Sequence, residues 1–236
     1  MKNLFFILVL VIAAAAVAEG TSYTSTTIWT QSGSEATVPV YHLDNTDALD
    51  YYTDLSVFEA ANPGLTPEDY SSTLVPPNNV ASDTGPLDYY TDNSLFALNT
   101  IVDGISLDEQ AGGDVVVLTP PFAGVTSVSV GPNTFDDDAV YDFTLPTRAF
   151  GGFIVMPNGG ALVNIEVFGA LGSLGTTSAT GATGAGTFWG VSCYDEDIVR
   201  IEFSCPGGEG ELFADVQFGL PTALDRTTWG ELKASF

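Results

Sequence analysis

Two runs of carboxylates are the first places in this sequence where chemistry could be concentrated. Asp136-Asp137-Asp138 follows a Gly-Pro-Asn turn and precedes an alternating strand pattern; Asp195-Glu196-Asp197 lies between two such patterns. Calcium takes about six to eight hard oxygens from carboxylates and carbonyls on loops of this kind, so these six residues are the candidate calcium ligands. Neither run has EF-hand spacing, because no Asp-x-Asp-x-Asp-Gly leads to a distal glutamate, and the plain reading of each is a solvated charged turn. Tyr51, Tyr89 and Tyr90 are the second candidate group. A sugar ring stacks on an aromatic face, so tyrosines gathered on one rim would bind glycan.

Other chemistries lack their residues. The single histidine, His42, would have to serve any Ser-His-Asp arrangement, and no Gly-x-Ser-x-Gly elbow, phosphate loop or dinucleotide fingerprint is present. A glycosidase needs only two carboxylates, and 30 acidic residues make such a pair impossible to locate. No enzyme is expected. With 5 basic against 30 acidic residues the net charge is −25, which excludes nucleic acid as a partner and disfavours an anionic lipid surface. Two cysteines and one histidine make a poor zinc site.

Residues 1–18 read as a cleaved secretory signal: Lys2, an apolar run from Leu4 to Ala16, then Ala16-Val17-Ala18 before Glu19. No later stretch is apolar enough to span a membrane, so a secreted extracellular protein is expected. In an oxidising compartment a Cys193–Cys205 disulfide is the natural expectation; two buried thiols are the alternative.

The elements that must position these residues are short strands, organised around residues 198–218. Val199, Ile201, Phe203 and Cys205 alternate with Arg200, Glu202 and Ser204; after Pro206-Gly207-Gly208, Leu212, Ala214, Val216 and Phe218 form a second alternating run. Period two marks a strand with one face buried. Further short strands are read at 104–107, 114–118, 125–130, 141–145, 149–156, 163–167 and 187–193, some alternating and some apolar throughout. The three valines of Asp114–Leu118 suggest burial on both faces. Ala36–Leu43 reads as an edge strand because of Pro39. Leu55–Ala61 reads as a short helix capped by Asp54, and Thr66-Pro67-Glu68-Asp69 as a second helical start. Residues 75–85 read as a loop, and 169–186 fit a flexible loop and a thin strand alike. Leu49-Asp50-Tyr51-Tyr52-Thr53-Asp54 recurs at Leu87–Asp92, an echo too short for a structural repeat. Thr228-Trp229-Gly230-Glu231 is a capping box that places Trp229, Leu232 and Phe236 on one helical face, a candidate docking tail.

Several of these pieces occur in an order that resembles the ectodomain common in exported bacterial proteins with PEP-CTERM sorting tails. They are Tyr52-Thr53-Asp54 with Phe58, Asn62-Pro63-Gly64-Leu65, Glu68-Asp69-Tyr70, Gly104–Leu107, Val140–Phe153, Gly186–Val191, Ile198–Phe203 and Ala214–Gly219. The sorting tail itself, with its Val-Pro-Glu-Pro motif, is absent. The resemblance implies a secreted, jelly-roll-like sandwich of the kind that often resembles carbohydrate-binding modules, sometimes with structural calcium.

The expected fold is therefore all-β: a single jelly-roll-like antiparallel β-sandwich over 51–220 with one or two short helices, an N-terminal arm over 19–50 and a tail over 221–236. The expected function is non-catalytic binding of polysaccharide or an extracellular matrix protein. A structural subunit of a surface layer, filament or biofilm matrix is the alternative.

Overall fold

A computed structural model describes residues 24–29, 35–40, 49–134, 137–208 and 210–221. The signal segment, His42, Asp136 and the Trp229, Leu232 and Phe236 tail lie outside the described residues. The chain divides into two compact units after Ala48. In the first, β1 (Thr24–Trp29) and β2 (Glu35–Val40) form an antiparallel hairpin with Pro39 opposite Ser25.

The second unit is a sandwich of two antiparallel sheets. In chain order its strands are β3 (Leu49–Tyr52), β4 (Thr66–Glu68), β5 (Val80–Thr84), β6 (Leu87–Asp88), β7 (Ile105–Glu109), β8 (Asp114–Leu118), β9 (Ser129–Pro132), β10 (Ala139–Phe143), β11 (Ala149–Val155), β12 (Leu162–Gly169), β13 (Gly172–Thr180), β14 (Thr187–Cys193), β15 (Ile198–Ser204) and β16 (Leu212–Gly219). One sheet runs β13-β12-β15-β10-β7-β6. The other runs β3-β14-β11-β16-β9-β8-β5, with β4 beside β16. The first strand begins at Leu49, so the sandwich takes in two residues that the sequence assigns to the arm.

Alternation directs one face of each sheet to the shared core. Tyr141 and Phe203 of the six-stranded sheet meet Phe150, Phe213 and Trp189 of the eight-stranded sheet, with ring centroids 4.6–6.2 Å apart. The eight-stranded sheet is covered on its other face as well. Helix α1 (Leu55–Ala61) lays Phe58 against Phe188 and Ala149, and Phe122 and Val125 cover Val116, Leu118 and Leu212. This double cover explains the valine run of β8, which is buried on both faces. The six-stranded sheet has a polar outer face.

Helix α1 has the sequence-expected limits, and Asp54 Oδ1 accepts hydrogen bonds from the Ser56 and Val57 amides at 2.8 and 3.1 Å. Four expectations need correction. Thr66–Glu68 is a strand rather than a helical start, because the buried Glu68 carboxylate accepts the Tyr70 and Val102 amides at 2.6 and 2.7 Å and holds the segment extended along β16. The strand expected at 125–130 begins at Ser129 and runs through Gly131-Pro132, since Val125 is drawn into the outer cluster. The segment read as a loop at 75–85 contains strand β5, paired along its length with β8; of the two readings left open for 169–186, the strand is the one present, as β13 paired with β12.

The fourth correction concerns the cysteines. Cys193 and Cys205 are buried, and no disulfide joins them. Cys193 ends β14 and is followed by a short loop into β15; Cys205 follows the far end of β15. Seven extended residues span roughly 23 Å, whereas a disulfide needs Cα atoms within about 7 Å. Reducing agent is therefore expected to leave the melting temperature unchanged; a fall of several degrees in dithiothreitol would contradict this placement.

Candidate functional site

The exposed side of the six-stranded sheet carries a cleft of about 570 Å³ lined by Asp138, Asn164, Glu166, Thr176, Ser178, Glu202 and Ser204 with two neighbours. Strand register explains the grouping. Ser178, Asn164 and Ser204 lie opposite one another across β13, β12 and β15, and so do Thr176, Glu166 and Glu202 one step along. Side chains at i and i+2 share a face about 7 Å apart, and adjacent strands are about 4.8 Å apart, so these residues form two parallel polar rows. Asp138, immediately before β10, closes one side.

The electrostatics of the cleft are acidic. Glu166 and Glu202 stand directly opposite, a like-charge pairing that costs energy unless it is relieved. Arg200 supplies relief on one side: its Nε is 2.8 Å from Glu202 Oε1, and its Nη1 is 3.7 Å from Asp142 Oδ1. Gln110 Nε2 also donates to Glu202 at 3.4 Å. Partial burial raises the Asp138 carboxyl above the usual carboxylate range, and the charges of Asp137 and Glu202 push it further. The cleft thus offers hydroxyls, an amide and carboxylates at fixed spacing, able to donate to and accept from a hydroxyl-rich ligand.

The sequence-expected residues distribute differently. Asp197 Oδ1 pairs with Arg148 Nε at 3.0 Å, Glu196 packs over Gly169, and Asp195 points to solvent. Asp137 is occupied by backbone donors, accepting the Ala111 amide of the turn after β7 at 3.2 Å and the adjacent Asp138 amide at 2.8 Å. Among the described residues no three acidic, histidine or cysteine side chains gather to enclose a metal ion. The tyrosines separate as well. Tyr51, on edge strand β3, tilts against Trp189 at 6.3 Å and lies beside β13. Tyr89 and Tyr90 follow β6, at the opposite edge of the six-stranded sheet. These two form a T-shaped pair at 5.3 Å, with Tyr90 73% exposed.

Of the cleft residues, only Asp138 was a candidate from sequence. The alternation of Asn164 and Glu166, and of Glu202 and Ser204, marks outward faces, but nothing local says that those strands are neighbours. Thr176 and Ser178 carry no signal, because their segment is all Gly, Ala, Ser, Thr and Leu.

No family model matches the chain, and no curated protein matches it. Among solved structures it is similar to the CBM22-1 xylan-binding domain of Xyn10C from Paenibacillus barcinonensis, at 11% identity and a TM-score of 0.34 over 62% of this chain and 97% of that one. It is also similar to the CBM51-2 and INT domains of ZmpB from Clostridium perfringens, at 10% identity and a TM-score of 0.15 over 83% of this chain and 38% of that one. Likenesses this slight bear on neither ligand nor mechanism; the sandwich is established by the chain's own strand pairing.

Proposed function

We propose that the protein is an exported, non-catalytic module that binds a glycan across the outer face of its six-stranded sheet. The observation that carries this reading is the pair of polar rows, Ser178-Asn164-Ser204 and Thr176-Glu166-Glu202, set in an open cleft. Sugar hydroxyls need donors and acceptors at fixed spacing, and a sheet face supplies them with little entropy left to lose on binding. The three carboxylates select the ligand class: a neutral or amine-bearing polymer is tolerated, and a polyuronate is repelled.

The test is affinity electrophoresis of the protein with xylan, a neutral β-glucan, partly deacetylated chitin and alginate. Retardation by a neutral or amine-bearing polymer is expected, and the Asn164→Ala/Ser204→Ala variant should weaken it about tenfold, the loss of two hydrogen bonds of under 1 kcal/mol each. No retardation by any polymer, or an unchanged variant, sinks the proposal. New reducing ends in the same incubation would point instead to hydrolysis by the facing Glu166 and Glu202.

A second reading, an assembly subunit, is favoured by β13. This nine-residue edge strand has no proline and no charged side chain in a chain of net charge −25. Edges without such protection are templates for strand addition. Light scattering separates the two readings, since a monomer at high concentration excludes self-assembly through this edge.

A further inference from the structure

The sandwich ends in edge strands of two kinds. Among the described residues, β3, β5 and β6 end the sheet paths, and β4 lies beside β16. Each is two to five residues long and carries a carboxylate: Asp50 in β3, Glu68 in β4, Asp83 in β5 and Asp88 in β6. Short or charged edges resist the addition of a further strand. β13 ends the six-stranded sheet without either device. It has nine residues, is paired on one side with β12 from Gly172 to Thr180, and contains neither proline nor charge. The uncharged stretch around it runs from 167 to 194, in a chain of net charge −25.

Apolar side chains flank the same edge. Leu49 and Tyr51 of β3, the edge of the other sheet, come within 3.1 Å of where a Cβ on Gly175 would stand, so both sheets end on this side. Alternation turns Asp50 to the opposite face of β3. Tyr51 is 40% exposed, and Leu171, at the tip of the β12–β13 hairpin, is 98% exposed. Glu196 is the carboxylate at the hairpin end, packed over Gly169, and Glu166 stands one strand in, on β12.

We infer that β13 is the interface of a closed homodimer, in which a second copy sets its own β13 antiparallel to this one about a two-fold axis normal to the sheet. Two bodies of like charge repel wherever acidic surfaces face each other, so they meet where charge is absent. The free side of a strand presents a row of unpaired N–H and C=O groups, and an identical strand returns the same row reversed. Having one such edge per copy stops growth at two, whereas a layer or filament needs two on each. The two-fold axis keeps both outer faces on one side, so the two six-stranded sheets become one continuous sheet. The polar rows that begin at Ser178 and Thr176 then continue into the β13 of the second copy. The pairing does not rest on the glycan reading; the shared cleft does.

The experiment is sedimentation velocity and hydrogen exchange of the full-length protein with no sugar present, which keeps its outcome separate from glycan binding. A species of twice the chain's mass is expected, with none larger as concentration rises. Exchange at the β13 amides that do not bond β12 should slow about tenfold for a hundredfold rise in concentration, because the monomer fraction falls as the square root. Thr177→Glu sets one carboxylate on each paired strand near the axis and should raise the dimer dissociation constant about tenfold, while Thr177→Val leaves it unchanged. The exchange profile of the unmutated protein needs no variant to fold. A monomer at every concentration, β13 exchange that ignores concentration, or a dimer indifferent to Thr177→Glu overturns the pairing. Concentration-independent protection would mean that the chain's own residues cover the strand. A mass that grows without limit overturns the closure and gives the edge to an open assembly. A single copy already holds a whole cleft, so polymer retardation can survive each of these failures, and the dimer can survive the loss of retardation.

Discussion

Phe58→Ala should lower the unfolding free energy by about 4 kcal/mol, the middle of the range for removing a fully buried aromatic ring. Against a total of about 5–15 kcal/mol, that is a large share. Phe58 is the one buried residue of α1 and is 0% exposed. It contacts Tyr52 edge-on at 5.4 Å and Phe188 at 5.5 Å. Its ring lies on bare backbone: a Cβ added at Gly151 or at Gly190 would come within 2.9 Å of it. The ring is thus what fastens the helix to the sheet, and two glycines leave the hollow that receives it. Gly151→Ala should therefore also destabilise, by about 1–3 kcal/mol from overpacking. Val57→Ala, one residue away and 56% exposed, should change stability by less than about 0.5 kcal/mol. Urea melts of the three variants check this. Equal midpoints for Phe58→Ala and Val57→Ala would show that the helix does not depend on the ring.

The second large effect is at the centre of the sandwich. Tyr141→Ala should cost about 3–5 kcal/mol, because its ring is 0% exposed and touches Phe150, Phe203 and Phe213 from both sheets. Tyr141→Phe tests a different quantity. The Tyr141 and Tyr70 hydroxyls are 3.3 Å apart, buried, and bonded to each other. Removing one leaves the other unsatisfied, which costs about 1–3 kcal/mol. Removing both leaves no orphan, so Tyr70→Phe/Tyr141→Phe should cost no more than either single change. This non-additivity is the signature to look for in a double-mutant cycle. Additive losses would mean that the hydroxyls act separately. Burial raises both phenols well above their ordinary range, so neither should ionise in an ultraviolet titration until the protein unfolds.

The strands legible in the sequence are those whose two faces meet different solvents. β12 and β15 bury one face and wet the other, and the alternation of Val163, Ile165 and Val167 with Asn164 and Glu166 reports this directly. β13 was ambiguous because an edge strand of small residues buries too little to leave a pattern. β5 was missed for the same reason: it is never fully buried, and its backbone pairing with β8 creates the strand. The Thr66-Pro67-Glu68 segment misled because proline is equally at home in a first helical turn and in an extended edge; the distant Val102 amide, bound by Glu68, decided between them.

The site was less legible than the fold. Of the acidic runs, Asp138 belongs to the cleft, Asp137 accepts backbone amides and Asp197 pairs with an arginine, so one local pattern serves three environments.

Composition and periodicity alone determined the sheet-rich class, the capped helix α1 and most central strands, because each depends on a residue and its near neighbours. Which strands lie side by side was decided only by the tertiary structure. That ordering set Cys193 and Cys205 at opposite ends, parted Tyr51 from Tyr89 and Tyr90, and drew Asn164, Ser178 and Ser204 into one row. The physical reason is that pairing between sheets and strands distant in sequence is chosen by the total burial of both faces, which no local stretch encodes.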